Sequence, residues 1–269
     1  TIGRTVVFDG RDSYFQDSNI VWIDNDELKV TNQFLYYYYQ TQPWIPTNGS
    51  TIKRLYNDDI RSLVISYPSL AEQKKIAKIL SDLDSKIELN NKMNAHLESM
   101  AKLIYDYWFV QFDFPDENGK PYKSSGGKMV YNEELKREIP EGWDVSSLLD
   151  IAAFTNGIPC QKYRPNDGEK SLNVIKIREM RTGFTEDSEV VKVSIPEKVK
   201  IYNGDLLFSW SASLLVKLWS GGNGALNQHI FKVTSDDLPQ SFVFMELQRY
   251  LSYFQKVAEL RKTTMGHIT

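Results

Sequence analysis

The chain offers few side chains of the kinds that perform acid–base, nucleophilic or metal chemistry. Its three histidines, His96, His229 and His267, are far apart in the sequence, and none stands in the His-Glu-x-x-His spacing of a zinc site. Cys160 is the single cysteine, so the chain forms no internal disulfide and no cysteine metal cluster, which fits a reducing cytoplasm. We therefore expect no catalytic residue and no metal site.

The sequence also lacks the motifs of nucleotide-binding enzymes, methyltransferases and nucleases. There is no P-loop, and the glycine-rich stretch “SGGNGA” at 220–225 precedes a predicted strand rather than a helix. A methyltransferase also needs a segment that holds the flipped base, and a nuclease needs an acidic cluster with a lysine; neither pattern is present. We expect a chain that is not itself an enzyme and that holds no cofactor.

The composition is that of an ordinary globular protein. Its 269 residues, 41% hydrophobic and 25% charged, suffice for one large domain or two modest ones. The net charge of -3 gives no overall basic signature, so a nucleic-acid-binding surface would have to arise from the local placement of cations. The sequence has neither an apolar run long enough to cross a bilayer nor a signal peptide, so we expect a cytoplasmic protein without membrane contact.

The elements that must position any functional side chain include one long helix. The residues from Ser69 to Phe109 contain neither glycine nor proline and predict a rod of about 60 Å. Ser69 is the predicted N-cap, Glu72 completes a capping box, and Pro68 precedes both. No other segment of the sequence predicts a helix of comparable length.

Apolar residues recur every seven positions along this helix and predict a seam that packs against a partner helix. Asn90 and Asn94 lie in the middle of the seam, where buried amides would fix register and partner choice. Alternatively, they mark a local break in the core or a place where the partner diverges. We expect the partner helix in another subunit or in sequence beyond this chain. The seam residues are Ile76, Leu80, Leu83, Ile87, Asn90, Asn94, Leu97, Ala101, Ile104 and Trp108.

The segments on either side of the helix predict an α+β fold with many loops. In the second segment the predicted strands are “NVIKIREM”, “EVVKVSI”, “DLLFSWSA”, “LLVKLW” and “HIFKVT”, followed by a helix at 242–260. The first segment has a weakly similar order, which favours a two-copy repeat. It contains the predicted strands “TVVFD” and “NIVWI”, a helix within “NDELKVTNQFLYYYYQ”, and a loop and strand within “TNGSTIKRLYNDDIRSLVISYP”. The predicted boundaries are 1–68 for the back half of a first domain, 69–111 for the helix, 112–140 for a linker and 141–269 for a second domain with a truncated C-terminal end.

Two motifs carry a resemblance to a known family. The helix entry has the form P-x-x-x-E-Q-x-x-I, and the segment “IPEGW” introduces the second domain. Together they resemble the centre of a type I restriction–modification specificity subunit, and the resemblance is specific over about 68–160. The residues that carry the two motifs are Pro68, Glu72, Gln73, Ile76 and Ile139 to Trp143.

The resemblance implies two target-recognition domains held apart by long helices that pack as an antiparallel coiled coil. Each domain would read one half of a split double-stranded DNA target, with the helix as spacer. Modification subunits would methylate adenine with S-adenosylmethionine and a restriction subunit would cleave, so this chain would be the DNA-specificity subunit and not an enzyme. Because Thr1 is not Met, we favour a trimmed piece over a half-length subunit that pairs with a second copy of itself. The alternative function is a coiled-coil scaffold or dimerisation protein that does not read DNA.

DNA contacts would come from loop residues, because Lys, Arg, Ser and Thr bind phosphates while Arg, Lys, Asn and Gln read base edges. Against this, most surface cations contact nothing, and Lys176 and Arg178 could equally be solvent-facing residues of a half-buried strand. In the first domain the candidates are Arg4, Arg11, Thr47, Asn48, Ser50, Thr51, Lys53 and Arg54. In the second they are Gln161, Lys162, Tyr163, Arg164, Lys176, Arg178, Arg181, Ser211, Ser213, Asn227, Gln228, His229, Lys262, Thr263, Thr264 and His267.

Two aromatic runs have alternative interpretations. The run from Tyr105 to Phe109 predicts packing against the partner helix or against the root of the following domain; the alternative is a docking surface for a modification subunit. The run from Tyr36 to Tyr39 could stack on bases. Four consecutive tyrosines on a helix point in all directions, however, so core and surface packing explains this run better.

Overall fold

The computed structural model describes residues 4–8, 10, 12, 20–41, 57–211 and 213–260. The chain divides into two compact units, Thr1–Met100 and Ala101–Thr269. Helices and strands together give the α+β class that the sequence predicts, with one long helix. Within the described ranges, none of the helices combines the length and the apolar character that a membrane span requires.

The regular elements in the described part of the first unit are helices. It contains α1 (Asn32–Gln40), α2 (Asn57–Arg61) and most of α3 (Leu70–Tyr105). Thr31 caps α1, because its hydroxyl accepts the backbone N–H of Phe34. The hydroxyl of Tyr37 on α1 donates a hydrogen bond of 2.8 Å to Asp84 on α3. Partial burial and this bond raise the pKa of Tyr37 to about 12, and Tyr39 is buried, so packing accounts for these two tyrosines.

The long helix is confirmed, and so is its capping box. The Ser69 backbone N–H donates to the Glu72 carboxylate at 3.1 Å, and the Glu72 N–H donates to the Ser69 hydroxyl at 3.4 Å. Helix α3 runs for 36 residues, which corresponds to about 54 Å, and continues as one π-helical turn over Asp106–Val110.

The second unit contains a hairpin, two four-stranded sheets and three further helices. The hairpin pairs β1 (Met129–Asn132) with β2 (Arg137–Pro140). In chain order there follow α4 (Leu148–Ile151), β3 (Ala153–Asn156), a 3-10 turn (Cys160–Tyr163), β4 (Ser171–Ile175), α5 (Ile177–Thr182), β5 (Val190–Lys192), a 3-10 turn (Glu197–Val199), β6 (Lys200–Ile201), β7 (Leu206–Ser209), β8 (Leu215–Leu218), β9 (Gly224–Leu226), β10 (Ile230–Thr234) and α6 (Gln240–Leu260).

The first sheet has the order β3-β10-β7-β8 and the second has the order β5-β4-β9-β6. Neighbouring strands of the first sheet are antiparallel, whereas β4 and β9 in the second sheet are parallel. All four residues of β7 are buried, because each face of the first sheet is covered. Leu206 packs with Val243 and Leu247 of α6 on one face, and Leu207 packs with core residues of the second sheet on the other.

Residues 112–140, predicted as a linker, contain the hairpin and part of an aromatic cluster. The ring of Trp143, from the “IPEGW” motif, lies 5.9 Å from that of Phe109, 5.4 Å from Phe112 and 5.2 Å from Phe114. The Arg137 guanidinium lies 4.5 Å above the Phe112 ring and donates to the carbonyl of Val110 at 2.7 Å. The motif therefore places a large aromatic ring against the residues that follow α3, within the second unit.

Some of the strand predictions are wrong. The described parts of the first two predicted strands, 5–8 and 20–23, and the later stretch 63–68 form no strand. A strand requires a hydrogen-bonded neighbour, and apolar side chains in these stretches are exposed, Val64 at 93% and Trp22 at 64%. Conversely, five strands form that the sequence did not predict, namely β1, β2, β3, β6 and β9.

The strand predicted for “NVIKIREM”, which would have carried Arg178, ends at Ile175, so the rest of that prediction is wrong. Residues Ile177–Thr182 are helical, because the Glu179 carboxylate accepts the Lys176 backbone N–H at 3.2 Å and so satisfies the start of the helix. Gly183, at φ 78°, ends that helix in a conformation that favours glycine.

Candidate nucleic-acid interface

In the second unit, two predicted contact residues, Arg164 and Lys176, come together at Glu189. The Arg164 guanidinium lies 3.9 Å from one carboxylate oxygen of Glu189, and the Lys176 ammonium lies 2.6 Å from the other. The Lys192 ammonium lies 5.9 Å from the centre of the Tyr163 ring. We call Arg164, Lys176 and Lys192 the basic cluster.

Three elements position this cluster. Arg164 follows the 3-10 turn that begins at the buried Cys160, Lys176 follows β4, and Lys192 ends β5, which pairs with β4. Burial raises the pKa of the Cys160 thiol to about 11, so this thiol is a packing residue at neutral pH. The charged groups are therefore held by buried strands and a buried turn.

The electrostatics of the cluster favour an anion. Two of the three cations, Arg164 and Lys176, share one carboxylate, Glu189, and Lys192 lies over the Tyr163 ring. The Glu189 side chain is 24% exposed, whereas the Arg164 side chain is 71% exposed. Lys176 is close enough to Glu189 for an ion pair, although the Glu189 oxygen makes no well-aligned hydrogen bond. The group is left with positive charge and free donor capacity, as phosphate binding requires.

Arg178 has a structural contact that the sequence did not indicate. Its guanidinium lies 2.7 Å from a carboxylate oxygen of Glu179, which is 1% exposed, and donates to the Asp187 carbonyl at 3.0 Å. Burial acts to raise the pKa of Glu179, but hydrogen bonds from Arg178 and from backbone N–H groups lower it overall. Arg178 thus neutralises a buried charge.

Other residues predicted to contact DNA have side chains that are buried or half-buried in the protein. Asn227 is 5% exposed, accepts the His229 backbone N–H at 3.3 Å and faces the Cys160 sulfur at 3.9 Å. Ser211 is buried, and the Gln228 amide lies beside the His229 ring. Of these side chains, that of Asn227 stabilises the turn before β10.

The remaining predicted residues are exposed or lie outside the described chain. Lys192 was missed, although its place on “EVVKVSI” beside the inward Val191 follows the two-residue strand period. Gln161, Lys162, Arg181 and Arg4 are exposed and Ser213 is half-buried. The candidates outside the described residues are Arg11, Thr47, Asn48, Ser50, Thr51, Lys53, Arg54, Lys262, Thr263, Thr264 and His267.

The predicted seam of α3 is accessible. Leu80 is half-buried, Asn90, Asn94 and Ala101 are exposed, and six large seam side chains are between 37% and 60% exposed. These six are Ile76, Leu83, Ile87, Leu97, Ile104 and Trp108. Further apolar side chains, Leu89, Met93, Met100 and Leu103, are between 52% and 66% exposed. The seam is therefore accessible to a partner helix, and its pairing stays a prediction.

The first unit matches a family of known proteins. Residues 1–99 match the family model described as “Type I restriction modification DNA specificity domain”. Over these residues the chain is similar to the specificity subunits of type I restriction–modification systems. This agrees with the family that the helix-entry and “IPEGW” motifs indicate.

Curated relatives of this family extend the match. A putative type I restriction enzyme specificity subunit of Haemophilus influenzae is 55% identical over 85 residues, which is 32% of this chain and 22% of that protein. The MjaIX specificity subunit of Methanocaldococcus jannaschii is 30% identical over 182 residues, covering 65% of this chain and 40% of the relative. The chain therefore matches less than half the length of either relative.

Solved structures also align with much of the chain. The HsdS subunit of Thermoanaerobacter tengcongensis has a TM-score of 0.33 and 16% identity, over 90% of this chain and 56% of that one. The type I system S subunit of M. genitalium has a TM-score of 0.42 and 13% identity, over 90% of this chain and 61% of that one.

Proposed function

We propose that this chain recognises DNA sequence for a type I restriction–modification complex, one half of a bipartite target in each recognition domain. The observation that carries the proposal is the match of residues 1–99 to a DNA specificity domain. The basic cluster supports it, since Arg164, Lys176 and Lys192 present cations where the chain as a whole has a net charge of -3.

Helix α3 supports a spacer role. It is continuous from Leu70 to Tyr105 and its start is closed by a capping box. A rod of about 54 Å corresponds to about one and a half turns of B-DNA at roughly 34–36 Å per turn, so its length is of the scale that separates two DNA half-sites.

The chemistry would lie on partner subunits in the cytoplasm. Modification subunits carrying S-adenosylmethionine would methylate adenine, and a restriction subunit would cleave. The exposed apolar side chains of α3 suit contacts with such partners or with a second copy of this chain. A scaffold that does not read DNA is the less favoured function, because scaffolding alone gives no use for the basic cluster.

The experiment is a DNA-binding measurement on the complex with its modification subunits. The target is first found by selection from random duplexes, and the variant combines Arg164→Ala, Lys176→Ala and Lys192→Ala. We expect weaker binding to all sequences and a log–log salt slope less steep by up to about 2.7, because each phosphate contact contributes about 0.9.

A matched control removes the same charge elsewhere in the second unit. Lys120, Lys123 and Lys198 are exposed, and their combined change to alanine should leave the slope near that of the wild type. Equal effects of the two triple variants would place DNA contact away from the basic cluster. Selection that yields no preferred sequence with the wild-type complex would refute the proposed function itself.

A further inference from the structure

The two four-stranded sheets of the second unit end at a common edge. The turn 227–229 follows β9 of the second sheet and precedes β10 of the first. Asn156 ends β3 and Trp210 follows β7, and these two strands are the neighbours of β10 in its sheet. Lys176 follows β4, the parallel neighbour of β9. Amide, aromatic and basic residues from separate segments therefore lie around one turn.

Backbone contacts hold this turn on both sides. The Asn227 N–H donates to the Ile175 carbonyl at 3.2 Å. The Gln228 N–H donates to the Ile158 carbonyl at 3.0 Å. A Cβ added at Gly157 would overlap the Asn227 carbonyl, so this close approach of two backbones requires glycine. The side chains of the turn are thus presented by a fixed backbone, as recognition of a defined ligand geometry requires.

The amide of Gln228 is oriented by the histidine beside it. Its side-chain nitrogen lies 3.2 Å from Nε2 of His229. With the ring proton on Nδ1, Nε2 accepts one N–H of the amide. The second N–H and the side-chain oxygen of Gln228 make no further hydrogen bond within the part of the chain that the structure describes. One donor and one acceptor therefore remain side by side on a half-buried residue.

The ring of Trp210 holds the histidine in turn. The Trp210 and His229 rings lie 5.7 Å apart between centroids, and the Trp210 and Phe231 rings lie 5.9 Å apart. The indole N–H donates to the side-chain oxygen of Asn156 at 3.4 Å. Packing and a hydrogen bond from two neighbouring strands thus restrict the ring against which the His229–Gln228 pair is set.

We propose that Gln228 is a specificity-determining residue that reads an adenine in the DNA half-site of the second unit. This inference rests on the proposed function. In the major groove adenine presents N7 as an acceptor and its N6 amino group as a donor, and one glutamine amide matches both. An N–H and the oxygen are the groups of Gln228 that remain after the contact with His229.

The adenine read by Gln228 is not the adenine that is methylated. A base that is to be modified leaves the stack, so its N6 and N7 no longer lie in the major groove. The DNA backbone beside the read base would meet the basic cluster, because Lys176 directly follows Ile175, the residue bonded to the turn. The Lys176 side chain is 43% exposed. A base contact and a phosphate contact can therefore occur side by side.

The test compares complexes that are each assembled with the modification subunits. They contain the wild-type chain, the Gln228→Met variant, or the control Gln255→Met, at an exposed position on α6. Methionine keeps the approximate length of glutamine and lacks both amide groups. Preference is measured by selection from random duplexes, followed by competition between duplexes that differ from the selected target at one base pair.

We expect Gln228→Met to lose at least about fivefold of the discrimination at one A·T pair of the half-site. That pair differs from the one that is methylated, and the preference at every other position should persist. Gln255→Met should match the wild type. Gln228→Glu gives a second readout: a carboxylate accepts from N4 of cytosine but cannot donate to N7 of adenine, so the preferred base at this position should change from adenine to cytosine.

Three results would overturn the inference. One is an unchanged preference at every position in either Gln228 variant. Another is a loss confined to a G·C pair or to the methylated adenine. The third is a loss at every position of the half-site, which would make Gln228 a structural residue. Failure of the proposed function looks different, since the wild-type complex would then select no preferred sequence.

Discussion

Replacing Glu189 by glutamine should strengthen binding to DNA of any sequence. Glu189 is the carboxylate shared by Arg164 and Lys176, at 3.9 Å and 2.6 Å. Its removal leaves Arg164 and Lys176 without their shared counter-charge, while the amide keeps the size of the side chain. The wild-type residue would thus restrain non-specific affinity.

The size of the effect follows from counterion release. One additional phosphate contact steepens the log–log salt slope by about 0.9. At about 0.1 M salt this corresponds to about eightfold tighter non-specific binding, with a smaller change for the specific site if the cluster already contacts phosphate there. The ratio of specific to non-specific affinity should therefore fall.

The assay is a salt titration of binding to one specific and one scrambled duplex, for the wild type and Glu189→Gln. Glu186→Gln is the control, because Glu186 is exposed and lies three residues before Glu189, and its substitution removes the same charge. If the two variants steepen the slope equally, only net charge matters and the local interpretation of the cluster is wrong. An unchanged slope for Glu189→Gln would refute the reasoning outright.

Two further predictions concern α3 and α5. Changing Asn90 and Asn94 together to leucine should alter the pairing register or the oligomeric state, because the exposed seam would lose the amides that distinguish one alignment from another. Light scattering and cross-linking measure this change. Unchanged assembly of the complex would contradict the role of the two amides. Arg178→Met should destabilise the fold by about 1–2 kcal/mol, because Glu179 keeps a buried charge without its partner. The wild-type pKa of Glu179 is lowered from about 4.5, so its contribution to stability is complete above that pH and is lost as pH falls through the folded pKa. The deficit in Tm of the variant should therefore be present at pH 7 and should shrink as pH falls below about 4.5, and a pH-independent deficit would exclude this mechanism.

The long helix and its start could be predicted because the information is local. Ser69 and Glu72 are within one turn of each other, and the absence of glycine and proline acts residue by residue. The same is true of β7, where the apolar run “DLLFS” indicates a strand that is covered on both faces.

The failures concern contacts between distant parts of the sequence. The buried Gln73 side chain is hydrogen-bonded to Thr31 and Lys29, which are 42 and 44 residues away, and no local pattern shows these contacts. Arg178 was placed on a strand because “IKIREM” alternates, yet the backbone N–H of Lys176 bonds to the Glu179 carboxylate and α5 forms instead. The burial of Asn227 likewise follows from its position beside Cys160, 67 residues earlier.

The predicted DNA contacts stay predictions, and the structure shows only where their side chains lie. Cations near the 3-10 turn lie on the surface, as loop chemistry suggests, but Lys192 joins them only because β5 pairs with β4. Register between strands decides which exposed residues become neighbours, and a single sequence does not specify that register strongly for three-residue strands.

The most direct test of sequence recognition by this chain is a map of methylated adenines in cells that carry it, lack it, or carry it with residues 141–269 exchanged for those of another family member. We expect a split methylated motif that disappears without the chain and that changes in only one half after the exchange. A motif that persists in its absence, or that stays the same after the exchange, would contradict DNA reading by this protein.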